Sequence, residues 1–210
     1  MSNPVTFPGD VIIPGNLRVN GSIQPAKDRD EILAMAELAT FTVPWTLWRV
    51  WDAMHTNLPG TAATDDLALI GGTFATGVPS IQTLDFGGTN TTAYARAQIP
   101  LPAEYVAGQT VKLRFHAGSL TTLPDAACTL DVICYKSGEE SLVSAGDICA
   151  TTVQTITPLT MADVDFTITA TTLSPGDLLD TRITVYGEDA GNLGVMTLCI
   201  GAVQLLCDVR

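Results

Sequence analysis

From residue 41 to 210 the chain alternates apolar and polar positions in short runs. In "TVKLRFHAG", Val111, Leu113, Phe115 and Ala117 point one way, while Lys112, Arg114 and His116 point the other. That two-residue period belongs to a half-buried strand. "VDFTITA" sets Val164, Phe166 and Ile168 on one face; "LDTRITVYG" sets Leu179, Thr181, Ile183 and Val185 against Asp180, Arg182 and Thr184. Further runs are "LWRVWD", "LALIGG", "SIQTLDF", "AYARAQI", "CTLDVICY" and "GVMTLCIGAVQLLCDV". Gly, Pro, Asn and Asp separate them, which predicts about nine strands. With no helical pattern between the runs, the expected architecture is all-β: an antiparallel, jelly-roll-like sandwich over residues 41–210.

The amino end follows other rules. "PGDVIIPGNLRVNGSIQP", residues 8 to 25, divides into three six-residue lines. Each has Gly second, a small polar residue third and an aliphatic residue fourth, and the first two add an aliphatic residue sixth. Counting one line back, the fourth places are Val5, Val11, Leu17 and Ile23, and the sixth places are Phe7, Ile13 and Val19. Alternation inside a line is strand-like, and the Pro-Gly and Asn-Gly pairs are turn chemistry. Residues 1–26 are therefore expected to form a β-prism-like arm of very short strands and corners. Residues 27–40, "KDRDEILAMAELAT", predict one short linker helix. Asp28 is placed to cap it with Glu31 three residues on. Ile32, Met35, Ala36 and Ala39 follow the i, i+3, i+4, i+7 spacing of one helix face.

Seven apolar side chains do not offset the ordering of some twenty residues in an isolated arm, and a short repeat needs stacked neighbours to cover its apolar edge. Three identical arms around one axis remove that difficulty, so Val5, Phe7, Val11, Ile13, Leu17, Val19 and Ile23 are the expected interface of a homotrimer. Two other readings stay open: donation of the arm as a strand to another protein's sheet edge, and a disordered tail.

Composition narrows the function. The formal net charge is −12 with ten basic residues scattered along the chain, so no electrostatic footprint for nucleic acid is present and no polybasic segment addresses an anionic membrane. With 46% hydrophobic and 15% charged residues, the chain can build a core. No basic-then-apolar leader pattern is visible at the amino end, and no uncharged apolar run reaches about 18 residues. The five cysteines, Cys128, Cys134, Cys149, Cys199 and Cys207, are odd in number and lack C-x-x-C spacing. Most lie in apolar strand-like runs and read as free core thiols.

Chemistry is sparse. Two histidines are present, His55 in the expected loop after "LWRVWDAM" and His116 on the outer face of a strand. No nucleophile elbow, phosphate loop or dinucleotide fingerprint occurs. The expectation is no enzyme, no cofactor and no bound metal. Glu188, Asp189 and Asn192, or the pair Asp65 and Asp66, carry oxygen ligands of the kind Ca²⁺ takes, although acidic turns between strands are common. Trp45, Trp48 and Trp51 recur at every third residue. They read either as a sugar-stacking platform or as packing at the sandwich entrance or between subunits, and are candidate partner contacts.

"GNLRVNGSI" resembles the short β-prism segments at the base of bacteriophage fibres and other virion appendages. "LWRVWDAMHTNLPGTAATDDLALIGGTF", with "LPAEYVAGQTVKLRFHAG" and "CTLDVICYKSG", resembles phage-encoded β-sandwich virion proteins. The resemblance implies a trimeric decoration (cement) protein of a phage head, folded in the host cytoplasm and placed on the capsid exterior. Its partners would be itself and the major capsid protein. The alternative it implies is a head or tail fibre module that recognises a host surface glycan. It supplies no catalytic motif, and a glycan-degrading enzyme on the same scaffold is the remaining reading.

Overall fold

The computed structural model describes residues 38–71, 77–86, 90–120, 128–137, 146–156, 160–188 and 197–210. The chain divides into two compact units, Met1–Glu37 and Leu38–Arg210. The seven apolar arm positions and most of the expected helix lie outside the described residues. Where that helix was expected to end, Ala39 and Thr40 instead belong to a strand. They pair with Cys207 and Leu206, and this cross-strand pairing overrides a weak helical stripe.

The strands are β1 (Ala39–Thr42), β2 (Arg49–Val50), β3 (Ala53–Asn57), β4 (Ala68–Ile70), β5 (Ser80–Gln82), β6 (Thr91–Pro100), β7 (Val111–Ser119), β8 (Cys128–Ser137), β9 (Gln154–Thr155), β10 (Ala162–Ile168), β11 (Leu178–Gly187) and β12 (Leu198–Cys207). A 3-10 turn, Trp45–Leu47, follows β1. One six-stranded sheet has the order β10-β7-β12-β5-β4, with β1 also on β12; the other runs β3-β2-β6-β11-β8-β9. Every strand pairing is antiparallel. From β6 onward the long strands pass back and forth between the sheets: β6, β8 and β11 in one, β7, β10 and β12 in the other. The fold is thus all-β, an antiparallel jelly-roll-like sandwich. Twelve strands stand among the described residues, more than the expected nine; β1, β3 and β9 are the short additions. His55 lies on β3, not in a loop. Among the described residues, no helix is long and apolar enough to cross a membrane.

The expected inward positions are the core. Val111, Leu113, Phe115 and Ala117 of β7 and Leu179, Thr181, Ile183 and Val185 of β11 are all buried. On β6 the inward residues are Ala93, Ala95, Ala97 and Ile99. Three of these are small, and bulk comes from aromatics of the same cluster, Trp48, Phe115 and Phe166 among them. Trp48 lies 6.3 Å from Phe115, and Phe115 meets Phe166 edge-on at 5.7 Å. Burying each such side chain contributes about 1.5–3 kcal/mol. The indole Nε1 of Trp48 is buried without a hydrogen-bond partner, which offsets part of that gain.

β12 carries an irregularity between Ile200 and Ala202, where Gly201 is the extra residue of a bulge. A Cβ on Gly201 would sit 3.1 Å from Met161 Cε, and one on Gly118 would sit 2.9 Å from Met161 Sδ. The two glycines therefore make the seat for Met161. The carboxyl end is pinned by main-chain bonds: Asp208 N–H donates to Thr110 O at 3.2 Å and Arg210 N–H to Glu104 O at 3.0 Å.

Candidate functional site

Because side chains alternate along a strand, each sheet presents an outer face as definite as its inner one. On the β6 sheet, register sets those outer residues in rows. Arg49 of β2 lies opposite Arg96 of β6, Arg96 lies opposite Arg182 of β11, and Arg182 lies opposite Ile133 of β8. On one side runs Gln98, Asp180 and Tyr135; on the other Tyr94, Thr184 and Asp131. Three arginines therefore occupy opposed positions across three strands of an acidic protein, an arrangement in which like charges oppose one another.

Each arginine is held differently. Arg96 makes a two-pronged bond to Asp180, Nε to Oδ1 at 2.7 Å and Nη2 to Oδ2. Arg49 Nη1 donates to Asn57 Oδ1 and reaches Trp48 O at 3.5 Å. The Arg182 guanidinium lies over two rings, 5.8 Å from Trp51 and 5.3 Å from Tyr94. Those rings are 5.1 Å apart and tilted 45°. Among the described residues, no carboxylate stands within ion-pair distance of Arg49 or Arg182.

Polar atoms without partners collect at the same place. Among the described residues, Arg182 Nε, Trp51 Nε1 and Asp66 Oδ1 are buried and unbonded. Asp66 reaches this cluster through the main chain, bridged to Tyr94, with Leu67 N–H donating to Tyr94 O at 3.0 Å and Tyr94 N–H to Asp65 O at 2.9 Å. Burial raises the Asp66 carboxyl above its usual range, with further lifts from Asp65 and Asp52. A planar cation stacked on aromatics and lacking a counter-ion is suited to binding a carboxylate or phosphate.

The opposite outer face is electrostatically closed. Lys112, Arg114 and His116 of β7 lie opposite Thr167, Asp165 and Asp163 of β10. Arg114 forks onto Asp165 at 2.6 and 2.9 Å and lies 3.6 Å from Asp163. His116 Nδ1 is 2.8 Å from Asp163 Oδ1, and Lys112 Nζ is 4.0 Å from Asp165. The hydrogen bond from Arg114 holds Asp165 below the usual carboxylate range. Beside this ladder Arg114, His116, Asp163, Ala202 and Gln204 line an open cavity of about 180 Å³. A second, apolar cavity of about 380 Å³ lies between Phe41, Leu47, Ile99 and Leu205.

The three tryptophans part company. Trp45 is half-buried in the 3-10 turn and packs against the core. Trp48 is 1% exposed, so it has no surface for a partner, a correction to its expected role. Only Trp51 stands in the arginine-rich outer face. Among the described residues, no three potential metal-binding side chains come together. Glu188 accepts a bond from Tyr186 Oη at 3.2 Å; Asp189 and Asn192 lie outside the described residues. All five cysteines are free, and all but Cys149 are buried. Burial pushes Cys134 up to about 12 and Cys128, Cys149 and Cys207 up to about 11, which removes them as nucleophiles at neutral pH.

Arg49, Arg96, Arg182 and Tyr94 were not singled out by sequence. Alternation set Asp180 and Arg182 of "LDTRITVYG" outward, whereas "AYARAQI" was read only as a strand, with no face assigned to Tyr94, Arg96 or Gln98. The register that lines up the arginines is not written in either run.

No family model matches the chain, and no curated protein sequence matches it. Among solved structures, it is similar to a family 16 carbohydrate-binding module-2 at 16% identity and TM-score 0.38, over 71% of this chain and 89% of that one. A putative sugar binding protein from Bacteroides thetaiotaomicron VPI-5482 is 14% identical at TM-score 0.40, over 83% and 96%. The xylan-binding module CBM15 is 13% identical at TM-score 0.40, over 82% and 99%.

Proposed function

We propose that this chain is a non-enzymatic structural protein of a bacteriophage virion, a homotrimer that decorates the head exterior by binding the major capsid protein. The observation that carries this reading is the hexad arm. In this reading the arm's seven apolar positions find burial against the same positions of two sister chains. Three copies of one weak contact, rigidly linked, then grip neighbouring capsid subunits with an avidity about 10²–10⁴ above the single contact. No nucleic acid, membrane or cofactor enters this scheme. Sedimentation tests it. The purified chain is expected to run as a trimer of 22.1 kDa subunits, and Leu17→Asp as a monomer with its β-sheet circular dichroism intact. A wild-type monomer at micromolar concentration overturns the proposal.

A second reading, a fibre module that recognises a host surface glycan, draws support from the outer face of the β6 sheet, where Trp51, Tyr94 and Arg182 meet. Copy number separates the two. Decoration predicts hundreds of copies per virion and heads that burst more easily without the protein. A glycan-binding fibre predicts few copies and loss of adsorption.

A further inference from the structure

We infer that the row Arg49–Arg96–Arg182 takes the carboxylate of an acidic sugar whose ring is met by Trp51 and Tyr94. This rests on the glycan reading of the same face and names the class of sugar.

The argument starts from an imbalance. Three arginines occupy directly opposed positions on adjacent strands, and such like-charge pairs weaken a sheet unless something neutralises them. Asp180 neutralises Arg96. Among the described residues, nothing does the same for Arg49 or Arg182. Their backbones stand two strand spacings apart, about 10 Å, so both long side chains can converge on one anion above β6. A guanidinium binds a carboxylate through two parallel N–H groups; with Arg182 Nε buried, its terminal nitrogens are the pair that would meet the anion. Two features turn the anion into an acidic sugar. The aromatic pair beside Arg182, with ring centres 5.1 Å apart, offers the flat apolar contact that a sugar ring takes. Gln98, Tyr135 and Asp180 in the next row supply donors and acceptors for hydroxyls. On the far face of the sandwich, Lys112 and Arg114 of β7 each have a carboxylate of β10 within 4.0 Å.

The test titrates the full chain with paired saccharides that differ in charge: trigalacturonate against its methyl ester, and sialyllactose against lactose. Acidic members are expected to bind at least about tenfold more tightly than their neutral partners, and to weaken with added salt. Arg182→Gln and Arg49→Gln should each erase about tenfold of that preference while sedimentation and the β-sheet circular dichroism stay unchanged. Trp51→Ala should weaken acidic and neutral binding together. Equal binding of charged and neutral partners, or a preference that survives both arginine variants, overturns the inference while the glycan reading stands. Binding to none of the four sugars overturns both. Pentaglutamate bound as tightly as the acidic sugars overturns it by moving the site to a protein partner.

Discussion

The two outer faces of this sandwich are built on one plan and end in opposite electrical states. On the β7–β10 face, Lys112 and Arg114 on one strand meet Asp163 and Asp165 on the next, His116 Nδ1 lies against Asp163 as well, and the ladder is complete within the chain. On the β6–β11 face, arginine meets arginine, and an aromatic pair takes the place of a counter-ion for Arg182. Spare binding capacity resides where the chain has left charge uncompensated. A face that neutralises itself has little free energy to gain from a ligand, whatever cavity lies beside it.

The largest expected effect separates both faces from the core between them. Trp48→Ala should cost about 3–5 kcal/mol in urea denaturation, because it empties a buried site. Trp51→Ala, three residues away but on the outer face, should cost no more than about 1.5 kcal/mol. Equal losses would mean that the outer aromatic pair is structural and would dissolve the contrast.

The same substitution should then act with opposite signs on the two sides. Asp165 has its carboxyl lowered by Arg114. Its contribution is fully present above the ordinary value of 3.8 and is lost as pH falls through the lowered folded value. Asp165→Asn is therefore expected to destabilise at pH 7, by less than about 1 kcal/mol because the pair is partly exposed to solvent, and to make no difference in strong acid. Asp66 is shifted upward by burial. The folded state holds that proton more tightly, so its ionisation above 3.8 lowers stability as pH rises. Asp66→Asn should raise the melting temperature at pH 7 and lose that advantage as pH falls. Thermal melts at both pH values check the pair of signs.

The smallest effect is expected of Lys112→Ala. Its ammonium lies 4.0 Å from Asp165, and such exposed pairs contribute at most a few tenths of about 1 kcal/mol. A larger loss in chemical denaturation would show that the ladder is a coupled network instead of separate pairs.

Much of the fold was legible because β6, β7, β8 and β11 are nine or ten residues long and alternate over at least seven of them. A two-residue period shows over such lengths. β2 and β9 have two residues each, too few to display any period, and β3 was read as a loop around His55. Ala39 fits a helical stripe locally, and Thr40 ends the expected helix, but both are claimed by β12 from the far end of the chain. The candidate site was legible only residue by residue. Alternation says that Arg182 points away from the core. That it faces Arg96 depends on pairing between segments more than eighty positions apart in sequence. Trp48 and Trp51 likewise share a motif but not an environment, because the chain turns between them.

The attachment of β1 has a mechanical consequence. All four residues of this strand pair with β12, and β1 begins at Ala39, the second residue of the compact unit Leu38–Arg210. A pull transmitted to Leu38 along the strand axis meets those four pairings together, in shear. A pull at right angles peels them one after another. How firmly the sandwich withstands tension at its amino end thus depends on the direction of the load, a property that single-molecule stretching from residue 38 can read.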